Sequence, residues 1–116
     1  MIRENEQACL ASVDDREDAL VDLSRRIWEY AEPGLKEVES SRAIADFLRD
    51  EGFRVQLGVG ELPTAICAEY GSGGPVIAYL GEYDSLPRLN QVVAAHKELK
   101  YADEPEQPGH GCGHNN

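Results

Sequence analysis

Apolar residues recur at Leu20, Leu23, Ile27 and then Tyr30 or Ala31, the three-and-four spacing that lines one face of a helix. A first helix is therefore expected across residues 14–31. Asp14 with Glu17 has the Asp-x-x-Glu form of an N-terminal cap, and Pro33-Gly34 supplies a breaker beyond the other end. Between Glu37 and Asp50 a second stripe runs through Ala43, Ile44, Phe47 and Leu48, with Glu39, Arg42, Asp46 and Arg49 facing the other way. That predicts a second helix, with Gly52 free to take the left-handed conformation that ends it.

Phe53 to Leu57 alternates apolar and polar side chains as a strand does. Residues 62–70 and 75–80 are apolar or β-branched runs separated by Gly71-Ser72-Gly73-Gly74, a spacing that predicts a hairpin. The run Val76-Ile77-Ala78-Tyr79-Leu80 has no polar alternation, so it is expected inside a sheet, covered on both faces. Residues 88–108 lose the pattern and read as a loop or insertion, with a short helix possible around Val92 to Leu99. The chain thus reads as one compact α/β unit without repeats or low-complexity tracts.

At 116 residues there is room for one small domain, and 41% hydrophobic with 28% charged residues is globular composition. A net charge of -11 repels phosphates and anionic membrane surfaces, which argues against nucleic-acid and membrane partners. Arg outnumbers Lys by 8 to 3, and with the acid excess this resembles proteins of high-salt cytoplasm. No stretch is long and apolar enough for a membrane span, and the first residues carry no hydrophobic signal core, so a cytoplasmic protein is expected. Cys9, Cys67 and Cys112 are odd in number and irregularly spaced, which favours reduced thiols over a disulfide framework.

The densest chemistry lies in His110-Gly111-Cys112-Gly113-His114, where borderline and soft metal ligands alternate with glycines that let the backbone bend around an ion. An idle flexible tail would hold the same residues. Glu82 and Asp84 follow the 75–80 run, at the sheet edge where open α/β folds place their ligands. On an extended backbone both point to one side, as carboxylates sharing an ion must. A solvated acidic loop is the competing explanation. His96 reads as a surface residue, and Trp28 and Tyr30 as packing.

The ordered set Ile27-Trp28-Glu29-Tyr30-Ala31-Glu32, Leu62-Pro63-Thr64-Ala65, Gly81-Glu82-Tyr83-Asp84-Ser85-Leu86-Pro87 and Gly109-His110-Gly111-Cys112-Gly113-His114-Asn115 resembles the N-terminal third of the M-twenty metallopeptidase family. The likeness spans roughly residues 16 to 115. It is strongest to the amidohydrolase branch that includes the aminobenzoyl-glutamate hydrolases. It implies the N-terminal part of a zinc-exopeptidase-like, three-layer α/β/α catalytic domain over residues 1–116, truncated, with the lid or dimerisation domain absent.

The resemblance further implies a two-metal amidase or exopeptidase, in which zinc or manganese activates water and polarises the scissile carbonyl. Cys112 and His114 match the first two ligands. Asp84 matches the acidic position beneath the metals, with an orienting catalytic role. Glu82 stands where many relatives carry a metal-binding histidine, and His110 would line the site, both in supporting positions. The substrate implied is an N-acyl amino acid, an aminobenzoyl-glutamate or a small dipeptide, and dimers are common through the domain missing here.

The family pattern continues with a Glu-Glu pair that includes the general base, and with two more histidine ligands, none of which is in these residues. The expectation is therefore an enzyme fragment inactive alone. The alternatives are a stand-alone metal-binding module, or a folded remnant that meets partners through an exposed sheet edge.

Overall fold

The computed structural model describes residues 3–116 and contains three α-helices and one two-stranded sheet among them. α1 spans Glu4–Asp14, α2 Glu17–Tyr30 and α3 Val38–Asp50; β1 is Arg54–Leu57 and β2 is Ile66–Glu69, with a short 3₁₀ turn at Val59–Glu61 between the strands.

The first helix expected from the pattern is α2, and its start differs from the expectation. Asp14 ends α1 instead of capping α2, and the break falls at Asp15 and Arg16. Arg16 is drawn out of the helical path toward α3: its guanidinium donates to Glu51 at 2.6 Å and to the Ser12 carbonyl at 3.0 Å. α1 itself escaped the periodicity reading because none of its residues is buried, so no apolar stripe was needed to make it. α2 ends as the breaker requires, with Ala31 in the left-handed conformation at φ 45°.

α3 matches its expected span but not its expected buried face. The fully covered positions are Ser40, Ser41, Ala43 and Ala45, while Ile44, Phe47 and Leu48 are half-buried. The reason is that α3 is packed on two sides, against α2 and against the β1–β2 pair. Small side chains let the backbones approach closely there. With Ile27 of α2, Ala43 and Ala45 are the buried apolar residues among those described.

The hairpin forms between different partners from those expected. β2 pairs antiparallel with β1, in the register Arg54↔Glu69, Val55↔Ala68, Gln56↔Cys67 and Leu57↔Ile66. Gly58 at φ 81° and Gly60 at φ 62° let the chain turn back tightly between them. The run 75–80 is not a strand. Val76, Tyr79 and Leu80 are 88%, 91% and 102% exposed, and residues 75–80 form no backbone pair among the described residues. A strand needs a neighbour to satisfy its N–H and C=O groups, and residues 75–80 have none among the described residues, although β2 is paired on one edge only.

Residues 88–108 are a loop, as expected, and no helix forms around Val92 to Leu99. Polar anchors order it in place of an apolar stripe. The buried Asn90 side chain accepts from the Tyr101 N–H at 2.8 Å and donates to the Glu104 carbonyl at 3.2 Å. Lys100 lies 4.8 Å from the centroid of Trp28, fastening the loop to the end of α2.

Candidate metal centre

The connector between α2 and α3, residues 31–37, is the platform of the site. Ser85 docks on it through its N–H to the Glu32 carbonyl at 2.8 Å and its hydroxyl to the Ala31 carbonyl at 2.6 Å. Pro33 and Ser85 thereby form a parallel bridge. Leu86 and Gly109 then exchange two backbone bonds of 3.0 Å as an antiparallel bridge. Connector, residues 82–86 and residues 109–114 thus lie side by side. Gly109 is required at this crossing, because a Cβ there would overlap the Leu89 carbonyl.

This lacing brings residues from distant parts of the sequence together. The His114 Nδ1 is 2.8 Å from an Asp84 carboxylate oxygen, and its Nε2 is 3.1 Å from a Glu82 carboxylate oxygen. One potential ligand atom from each of Glu82, Asp84 and His114 lies within 4.8 Å of the others. Asp84 and His114 are partly buried, and Glu82 is exposed. The Asp84 hydrogen bond, and beyond it the charges of Glu82 and Asp84, hold the His114 imidazole above its ordinary titration range.

In the neutral ring, with Nδ1–H donated to Asp84, Nε2 carries a lone pair directed at Glu82. Two acceptors 3.1 Å apart repel unless a positive centre lies between them. A proton supplies one solution and a dication another. Ligand atoms about 2.1 Å from a zinc ion are roughly 3.0 to 3.4 Å from each other, so the Nε2–Oε2 separation suits a shared ion. The donor set fits a borderline or hard dication, with Asp84 fixing the imidazole tautomer as ligating histidines require.

The other residues singled out in the sequence are placed differently. Cys112 is exposed and lies outside the Glu82, Asp84 and His114 group. His110 is buried and turned to α2, where its Nε2–H donates to the Ile27 carbonyl at 3.0 Å. Burial pushes its imidazole below the ordinary range and keeps it neutral, and its Nδ1 is without a partner among the described residues. His96 is on the surface beside Glu98.

Sequence reasoning passed over the supports. The Glu32 carboxylate takes the N–H groups of Glu39 and Ser40 at 2.9 and 2.8 Å, capping α3 from outside the helix. Glu37 and Thr64 are both buried and joined at 2.8 Å. The available signal was the breaker Pro33-Gly34 flanked by two acids, which reads as a solvated turn until its partners are known.

No protein-family profile matches the chain, and no solved structure matches it. Among curated proteins it is 40% identical over 94 residues to a subunit of the p-aminobenzoyl-glutamate hydrolase of Escherichia coli, covering 81% of this chain and 19% of that protein. It is 33% identical over 104 residues to thermostable carboxypeptidase 1 of Saccharolobus solfataricus, covering 88% of the chain and 25% of the relative. N-acetylcysteine deacetylase of Bacillus subtilis is 32% identical over 97 residues, 82% of the chain and 24% of that enzyme. The chain spans about a fifth to a quarter of the length of these relatives. Over the residues it shares with them, the chain belongs to the M-twenty family of metallopeptidases and amidohydrolases.

Proposed function

We propose that this chain forms the first metal-holding corner of an amidohydrolase, in the N-terminal part of a three-layer α/β/α catalytic domain. The amide bond of an N-acyl amino acid, an aminobenzoyl-glutamate or a small dipeptide is the substrate class. The names of the relatives support that class: a p-aminobenzoyl-glutamate hydrolase, a carboxypeptidase and an N-acetylcysteine deacetylase all act beside an amide carbonyl. The single observation that carries the reading is the placement of His114 between Asp84 and Glu82 at 2.8 and 3.1 Å.

In this reading His114 and Glu82 hold a zinc or manganese ion, Cys112, two residues from His114, is the thiolate ligand that would join them, and Asp84 orients the imidazole. A dication so held supplies Lewis-acid polarisation of the carbonyl and activation of water. Asp84 accepts the Nδ1 proton, so that Nε2 is the nitrogen that gives up its proton to an ion. His110 stays neutral beneath the site and adds no positive charge to oppose the ion.

Titrating the full chain with Zn²⁺ and with Mn²⁺, with a chromophoric chelator as competitor, tests the proposal. One bound ion is expected, its affinity falling at least about 100-fold in His114→Ala and about 10-fold to 100-fold in Asp84→Asn. Hydrolysis of aminobenzoyl-glutamate by the chain alone is expected to be undetectable, since a general base is not among the residues brought to the site. Wild-type binding no tighter than that of His114→Ala would overturn the reading.

A further inference from the structure

Glu37 occupies the position immediately before α3, where the positive end of the helix favours a negative charge. It makes no capping bond. The first N–H groups of α3 are instead served by Glu32. Glu37 is nonetheless only 8% exposed, and a carboxylate is costly to take from water without a purpose for its oxygens.

Its two oxygens are held by two different segments of the chain. One accepts the Leu35 N–H at 2.9 Å, in the turn where Gly34 lies against both Asp84 and Glu37. The other accepts the Thr64 hydroxyl at 2.8 Å. Thr64, itself buried, accepts through its carbonyl the hydroxyl of Tyr83. Tyr83 stands between Glu82 and Asp84, and while its ring reaches back to Thr64, its two neighbours reach His114. Successive side chains of an extended segment leave on opposite sides, so pinning Tyr83 behind fixes both carboxylates in front.

We propose that Glu37 is a positioning residue: through Thr64 and Tyr83 on one side and the Gly34–Leu35 turn on the other, it sets the aim of Glu82 and Asp84 at His114. This rests on the reading of that group as a metal centre. Glu37 touches no ion itself and acts only through the residues that do.

The test compares the unaltered chain with Glu37→Gln, Thr64→Val and Thr64→Ser. Circular dichroism checks that each keeps its helices. Zn²⁺ affinity, the visible absorption of bound Co²⁺ and, in the metal-free chain, the ring-nitrogen resonances of His114 are then read. Thr64→Val and Glu37→Gln are expected to weaken Zn²⁺ binding about 10-fold, to alter the Co²⁺ band shape and to move the His114 resonances. Thr64→Ser restores all three, which a general loss of stability would not.

Glu37→Gln is close to isosteric, so it decides the matter should Thr64→Val fail to fold. Unchanged His114 resonances in folded Glu37→Gln overturn the positioning role, whatever the metal does. Should the wild type bind no Zn²⁺ while those resonances still move, the metal reading falls and the positioning of His114's carboxylate partners stands.

Discussion

Residues 75–80 and residues 82–86 are adjacent in the chain and opposite in character. The first is the most apolar stretch of the sequence and makes no backbone pair among the described residues, with Leu80 fully exposed. The second is short and acidic, yet Ser85 is 2% exposed and both Ser85 and Leu86 are tied by backbone bonds to other segments. Apolar character alone therefore does not make a strand. A segment is fixed where its peptide groups find partners, and here the partners come from the connector at 31–37 and from residues 109–114.

The comparison is broken most directly at its seam. Gly109→Ala drives a Cβ into the Leu89 carbonyl, where backbone rather than a flexible side chain must yield. A loss of about 2 to 3 kcal/mol in urea unfolding is expected, with release of residues 109–114 from Leu86. Ser85→Ala removes the buried hydroxyl bond to Ala31 and leaves that carbonyl short of a donor, for an expected loss of about 1 to 2 kcal/mol.

A pH scan sharpens the same contrast. Burial lowers the His110 imidazole below its ordinary value of 6.5, so the unfolded chain takes up its proton first as acid is added. The stability tied to neutral His110 is full above pH 6.5 and is lost as pH falls through the lowered folded value. Thermal melts of His110→Leu should lack that part of the acid-side decline, whereas Tyr79→Phe should keep it.

The smallest effect is expected within 75–80. Leu80→Ser should change unfolding free energy by less than about 0.5 kcal/mol, as exposed positions do. A cost matching that of Ser85→Ala would show that this run is covered in solution and would erase the contrast. Ile77→Lys should leave stability alike unmoved but reduce concentration-dependent association in light scattering, because an exposed apolar run free to pair is an aggregation template.

The local pattern alone settled the features that depend on near neighbours. The body of α2, the span of α3, the stop at Pro33-Gly34 and the strand after Gly52 follow from periodicity and breakers, which act over a turn or two of chain. Glu82, Asp84 and His114 were recognisable as chemistry-bearing, and the order of four motifs carried the family.

Only the tertiary structure decided the rest. The pairing of β2 with β1, and the place of the 75–80 run outside the sheet, were not written in either segment alone. The burial of Ser40 and Ala45 depended on α3 being covered from two sides. The turning of His110 toward Ile27 and of Glu37 toward Thr64 depended on acceptors and donors separated by 83 and 27 residues. A periodic pattern says which face is apolar; it does not say which remote peptide or hydroxyl will meet a buried polar group, and that meeting is what assembles this site.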